Sequence, residues 1–332
     1  MNQIFPGPLH QEDLFAISDM PLAVPEGAWF VSSGHHAIRL LLRQLGLTPG
    51  SRVALPALIC PSVVSAICAE GMVPDFVDIE PDLQVMAFNR DAFACRGFNL
   101  ILLPHLYGMA HPQTQAIRDF AGNAGIPLIH DVAQSYGLTH DGVPMVTLDQ
   151  GGLYSFGAGK ASTAATGALV YGLKDAFAIQ AKLHRFRLWD FVACHFLKQR
   201  MGIPCQAPWL KLHYHGFRAS RIQVRAANLV MSRFVEIEQK RHDNWDNLAQ
   251  YLGDDFIGAG ETRCSYYKFV LKTLSPDWSP PLELAAVPWR RVVRHPAQGD
   301  LPNYRTLPEN LIELSTEYSP EQFRDRAERA KP

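Results

Sequence analysis

The chain has 332 residues, 47% of them hydrophobic, with a formal net charge of -1. That length supports a sizeable core, divided between one large and one small domain. The near-neutral balance excludes the electrostatic footprint of a protein built to hold nucleic acid or an anionic membrane. The six cysteines (Cys60, Cys68, Cys95, Cys194, Cys205 and Cys264) form no CxxC pair and lie among apolar neighbours. They read as reduced core residues of a cytoplasmic protein, not as a disulfide or zinc framework. Glu12, Asp13 and Asp19 stand near the start, with no basic stretch leading into an apolar run, so no signal peptide is expected. No apolar stretch approaches the roughly 20 residues that span a bilayer.

Residues 1–28 are rich in Pro and Gly without a clear period and read as an arm over the body. Val31-Ser32-Ser33-Gly34 leads into a helical pattern with apolar residues at 37, 38, 41, 42 and 45, stopped by Gly46. Ser33 and Gly34 would stand at its N-terminus, where backbone N–H groups and the helix dipole favour a phosphate. A plain serine N-cap is the alternative reading.

Strands are expected at 52–56, 74–79, 100–104 and 126–131, with helices at 61–70 and 113–124 between them. Continuous apolar strands alternating with helices argue for a parallel sheet covered on both faces. Further strands are expected at 151–156 and 167–171. Residues 175–200 look helical, with Phe186, Arg187, Trp189, Phe191 and Phe196 interleaved, and read as an amphipathic surface or subunit contact. One long helix is expected over 219–252, with Ile222, Ala226, Leu229, Val230 and Ile237 forming its apolar stripe. A strand-like run at 266–273, a Pro-rich segment and a helix from Pro320 would build the last part.

Two stretches carry chemistry. Leu128-Ile129-His130-Asp131 places a carboxylate where a buried-looking strand ends. Leu153-Tyr154-Ser155-Phe156-Gly157-Ala158-Gly159-Lys160 places a lysine just past another strand. Ligands of doubly wound sheets bind at the carboxyl ends of the strands. An acid and a lysine meeting there point to a cofactor with a cationic ring nitrogen and an aldehyde, namely pyridoxal phosphate.

Several segments together resemble the DegT/DnrJ/EryC1/StrS family of nucleotide-sugar aminotransferases. They are Val31-Ser32-Ser33-Gly34, Phe76-Val77-Asp78-Ile79, His105-Leu106-Tyr107-Gly108, His130-Asp131-Val132-Ala133-Gln134, Ser155-Phe156 with Lys160, and Gly216-Phe217-Arg218-Ala219-Ser220 through Gln223. The resemblance implies a pyridoxal-phosphate transferase of fold type I. Its large α/β domain would have a mostly parallel central sheet, followed by a small α+β C-terminal subdomain. The boundaries expected are 1–28 for the arm, 29–252 for the large domain and 253–332 for the subdomain.

By the same resemblance Lys160 would bind the cofactor covalently and then move the substrate proton. Asp131 would pair with the ring nitrogen, and Gln134 with the phenolic oxygen. Ser33, Gly34, His35 and Ser155 would contact the phosphate. Three positions depart from the family pattern: His35 replaces a threonine, Cys60 stands where a ring-stacking aromatic is common, and Gly216 where an asparagine reaches the neighbouring subunit's phosphate. The loop after Lys160 also lacks the usual Gly-Glu-Gly-Gly. These departures imply a divergent branch with an altered substrate pocket.

The function implied is transfer of an amino group from an amino acid, L-glutamate by resemblance, to a nucleotide-linked keto sugar, in a homodimer with shared sites. A cofactor enzyme of elimination or dehydration type and a non-catalytic protein on the same fold are the alternatives. The family's dehydratase branch resembles these enzymes but carries histidine at the lysine position, so Lys160 speaks against it.

Overall fold

The computed structural model describes residues 13–81, 85–157, 160–162, 164, 166–174, 219–252, 267–270, 289–291, 301–306 and 312–315. The helix expected over 175–200, Gly216, the Pro-rich segment and the helix from Pro320 lie outside the described residues.

Asp13–Asp19 form α1 and Ala28–Val31 form β1, so part of the expected arm is regular structure. A seven-residue helix is too short to show a period, and α1 is held by packing instead. Its Ile17 is buried in a cluster with Phe30, Val224 and Leu229, and Asp13 pairs with Arg233 at 2.6 Å.

The central alternation follows the expected order: α2 (Gly34–Gln44), β2 (Arg52–Pro56), α3 (Pro61–Ala69), β3 (Val73–Val77), α4 (Arg90–Arg96), β4 (Leu100–Pro104), α5 (Thr114–Ala124) and β5 (Leu128–Asp131). The α4 helix is an addition, capped by the Asn89 side chain on the Ala92 amide and closed by left-handed Gly97. A short hairpin of β6 (Thr139–His140) and β7 (Val143–Pro144) precedes β8 (Gly152–Ser155) and β9 (Ala168–Tyr171).

Seven strands form one sheet in the order β1-β9-β8-β5-β4-β2-β3. All neighbours from β3 across to β8 are parallel, while β9 runs antiparallel to both β8 and β1. All five residues of β4 are buried, as a strand covered on both faces requires. One face packs on α2 and α3 through Leu40, Leu41, Val63 and Ile67. The other packs through Phe93, Phe98, Ile117 and Phe120 of the α4 and α5 region. Gly152 allows β8 to meet β5: a Cβ there would stand 2.3 Å from the His130 carbonyl oxygen.

The expected long helix is two, α6 (Arg221–Ser232) and α7 (Phe234–Leu252), with a turn at Arg233. The apolar period runs on through the turn, which is why the sequence hides it. The ring of Phe234 docks on Tyr136 at 4.5 Å, and Arg233 pairs with Asp13.

Beyond α7, β10 (Lys268–Val270), β11 (Trp289–Arg291) and β12 (Ile312–Ser315) form an antiparallel sheet in the order β10-β12-β11. A short helix, α8 (Pro302–Thr306), docks on the end of β3. Asp78 accepts the Asn303 amide at 2.9 Å and the Tyr304 amide at 2.8 Å. Leu301 and Tyr304 join the same apolar cluster as α2 and α3.

Cys60 is half-buried and Cys68 and Cys95 are exposed, all three free, so these do not fill the core as expected. Cys68 and Cys95 lie on outward faces of α3 and α4, which the local apolar composition does not reveal. Among the described residues no helix is long and apolar enough to cross a membrane.

Candidate functional site

The carboxyl ends of β2, β4, β5 and β8 lie along one edge of the parallel part of the sheet. The segments leaving them carry Cys60, Tyr107, Asp131 with Gln134, and Ser155 with Lys160. Topology therefore brings Cys60, Asp131, Gln134, Ser155 and Lys160 to one edge.

Asp131 ends β5 and is buried. Its Oδ1 accepts the Ala133 amide at 3.0 Å. Burial raises its pKa, and the Lys160 ammonium and the Ala133 amide act the other way. Acid and lysine thus share one electrostatic neighbourhood, although 29 residues of sequence separate 131 from 160. A buried carboxyl held partly against its own charge favours a further cationic partner.

Gln134 follows on the loop after β5. Its Oε1 accepts the Tyr107 amide at 3.1 Å, tying that loop to the one leaving β4. Tyr107 has φ +60, a left-handed conformation that is uncommon for a bulky residue and marks a constrained loop.

Ser33 caps α2, accepting the His36 amide at 3.3 Å. Both readings of Ser33-Gly34 remain compatible with this cap, because α2 still directs the amides of its first turn and its dipole outward. Gly34 lies against Ser155: a Cβ there would stand 3.2 Å from Ser155 Oγ and 3.3 Å from Leu153 Cδ1. Ser155 Oγ also accepts the Gly157 amide at 3.4 Å. A helix N-terminus, a buried hydroxyl and a glycine where a side chain would be a tight fit make a cradle suited to a phosphate.

His35 turns toward α3, with Nδ1 3.1 Å from the Ser62 carbonyl oxygen. Cys60 caps α3 by position only, and its Sγ is 3.2 Å from Ser62 Oγ. His35 and Cys60 therefore meet on the same short stretch at the rim. Gly216 lies outside the described residues.

Several supporting residues escaped the sequence reading. His36 is fully buried, with Nδ1 against Ser32 Oγ and also 3.2 Å from Ser33 Oγ. Thr166 Oγ1 donates to the Ser32 carbonyl oxygen at 3.1 Å, and Gln223 Nε2 to the same oxygen at 3.4 Å. Gln223 also closes a capping box with Ser220 at the start of α6. The Ser220–Gln223 spacing was the one local signal available; the contacts to Ser32 cross most of the chain. Among the described residues no group of three or more His, Cys, Asp or Glu could hold a metal ion.

The profile of the DegT/DnrJ/EryC1/StrS aminotransferase family matches residues 26–259, which is most of the chain. The chain belongs to this family. Among its relatives is the 3-oxo-glucose-6-phosphate:glutamate aminotransferase of Bacillus subtilis, 37% identical over 139 residues, 41% of this chain and 31% of that protein. The GDP-perosamine synthase of Vibrio cholerae is 30% identical over 146 residues, 44% and 40% of the two chains. The matched segments thus span less than half the length of these relatives.

Among solved structures, a family member from Brucella abortus aligns with a TM-score of 0.66 at 19% identity, over 91% of this chain and 84% of that one. The E. coli GDP-4-keto-6-deoxy-D-mannose-3-dehydratase, described with bound hydrated PLP, aligns with a TM-score of 0.71 at 14% identity, over 100% and 99% of the chains. These likenesses show the fold, that of pyridoxal-phosphate transferases of fold type I.

Proposed function

We propose that the protein is a pyridoxal-phosphate aminotransferase, moving an amino group from an amino acid to a keto sugar carried on a nucleotide. The observation that carries this reading is the buried Asp131 at the end of β5, in electrostatic contact with Lys160. Family membership supports it, as do the relatives named for amino-sugar formation. Glutamate stands in the name of one of them, so L-glutamate is the proposed donor.

The residues present fit the cofactor. The Gly34–Ser155 cradle at the N-terminus of α2 suits the phosphate, with Ser33 and His35 beside it. Asp131 suits a protonated ring nitrogen, because that cation would offset the burial that disfavours its charge. Gln134 stands on the neighbouring loop with an amide that could donate to the phenolic oxygen. Cys60 offers a thiol at the rim, where an aromatic would give a better stacking surface. Gly216 is assigned to this site by family resemblance alone.

When bound, the cofactor would supply an electron sink for the bond changes at the substrate carbon next to nitrogen. Lys160 would hold it through its amine and, once displaced by a substrate amine, take the proton from that carbon and deliver it to the cofactor carbon that had carried the aldehyde. Asp131 would keep the ring nitrogen protonated and so act where charge develops. The same reading divides the chain at 28 and 252 and makes the working unit a homodimer.

The test is an absorbance scan of the protein with added pyridoxal phosphate, repeated with L-glutamate. A visible band that gives way to a near-ultraviolet one is expected. Lys160→Ala should remove the visible band, and an unchanged spectrum in that variant would overturn the assignment. A visible band that no amino donor converts would favour an elimination or dehydration reaction on the same cofactor.

A further inference from the structure

Behind the sheet, on the face opposite the Asp131 side chain, lies a line of polar groups that the proposed reaction does not use. His105 and His130 are both fully buried, with rings stacked at 5.4 Å and an interplanar angle of 21°. His105 Nε2 is 3.1 Å from His130 Nδ1, and His130 Nε2 is 2.8 Å from Asp149 Oδ2. At the other end the His111 amide donates to His105 Nδ1 at 3.1 Å.

These contacts fix the proton positions. His105 Nδ1 accepts an N–H, so the proton of the neutral ring sits on Nε2. That proton is donated to His130 Nδ1, which leaves the His130 proton on Nε2, directed at Asp149. The line runs one way, from the His111 amide to the carboxylate. Arg118 Nε holds the same carboxylate oxygen at 2.9 Å.

The backbone of His105 belongs to the site. Its amide donates to the Asp131 carbonyl oxygen at 2.9 Å, and its carbonyl accepts from Ser135 Oγ at 3.0 Å. With the Tyr107–Gln134 bond, these are the rungs that join the loop after β4 to the loop after β5.

We propose that His105, His130 and Asp149 form a directed imidazole relay that positions the end of β5 and the loop after it, so that Asp131 and Gln134 can address one cofactor ring. The proposal rests on the site assignment above, but the relay is a property of the chain without cofactor. The charged and titratable groups facing it are His111 from the loop after β4, Arg118 from α5, His140 from β6 and Asp149 before β8. Taking up a second proton on His105 would set N–H against the His111 N–H, and on His130 it would set N–H against N–H. Either breaks the direction of the line.

The experiment compares His130→Gln with His130→Leu in the full chain. Glutamine keeps one acceptor for His105 and one donor for Asp149, whereas leucine has similar bulk and neither. Two quantities are read: amide hydrogen exchange at Tyr107 without cofactor, and pyridoxal-phosphate affinity by titration of the visible band. Expected for leucine are faster Tyr107 exchange and about tenfold weaker cofactor binding, as for losing one buried hydrogen-bond partner. Glutamine should stay within about twofold of the parent on both. Equal impairment by glutamine and leucine, or none by leucine, overturns the proposal.

If the leucine variant does not fold, Asp149→Ala against Asp149→Asn makes the same comparison from the half-exposed end. Only the alanine change should speed exchange at Tyr107, and equal behaviour of the two refutes the relay. A parent protein that takes up no cofactor would defeat the site assignment, while the exchange comparison still judges the relay.

Discussion

His111 shows how burial sets charge around this edge of the sheet. Its ring lies within the core, with Nε2 2.7 Å from the Met86 carbonyl oxygen and Nδ1 accepting the Gln113 amide at 3.2 Å. Burial lowers its pKa from 6.5 to about 4, the Met86 carbonyl opposing the shift. His105 is lowered well below its ordinary value, first by burial and then by its histidine neighbours. The sign follows: below pH 6.5 the unfolded chain takes up protons that the folded rings refuse, so stability falls as pH drops toward 4. For His111 alone the loss is on the order of 3 kcal/mol, read from denaturant melts across that range. His111→Gln should flatten the slope. At the neighbouring strand end, Asp131→Asn should leave folding intact and cut turnover by about 100-fold or more, measured against bound cofactor. Asp131 stood out because it closes an apolar strand, and Lys160 only because it follows Ser155-Phe156 downstream of that carboxylate. Asp149 did not, since nothing in its own neighbours marks it as the end of a histidine line; only the stacking of β4, β5 and β8 does.

At the scale of elements, the parallel strands were readable because their apolar runs are continuous, and α2 because its buried stripe is long. Where the reading failed, length or continuity was the cause. The α1 helix is too short to show a period, and the break at Arg233 leaves the apolar stripe uninterrupted on both sides. Gln223 is the element-scale joint: it completes the cap of α6 and reaches the Ser32 carbonyl oxygen beside the phosphate cradle. Gln223→Ala should cost about 1–2 kcal/mol in a denaturant melt, mostly from the lost cap. Gln223→Glu keeps the capping acceptor but offers the Ser32 oxygen no donor. It should recover most of that stability, and full recovery of cofactor affinity as well would show that the Ser32 contact is dispensable.

For the whole molecule, 301–306 are fastened to the first half of the sheet largely through one carboxylate. Asp78 receives the amides of Asn303 and Tyr304, and Asn303 Nδ2 donates to the Ile79 carbonyl oxygen at 2.9 Å. Asp78→Ala should lower stability by about 1–3 kcal/mol and open 301–306 to hydrogen exchange before the central strands. The sequence placed Asp78 in a family-like segment but gave no hint of this partner, which lies 225 residues on. A different consequence follows from β1. It pairs with β9 alone, and the cradle joins Gly34 to Ser155, so the earliest residues made must wait for some of the later ones. A nascent chain shorter than about 170 residues would present β2 to β8 with α2 and α3 docked on them, while β1 had no strand to pair with. Chains ending before Ala168 and chains continuing well past Tyr171 should therefore differ sharply in protease resistance at residues 28–31.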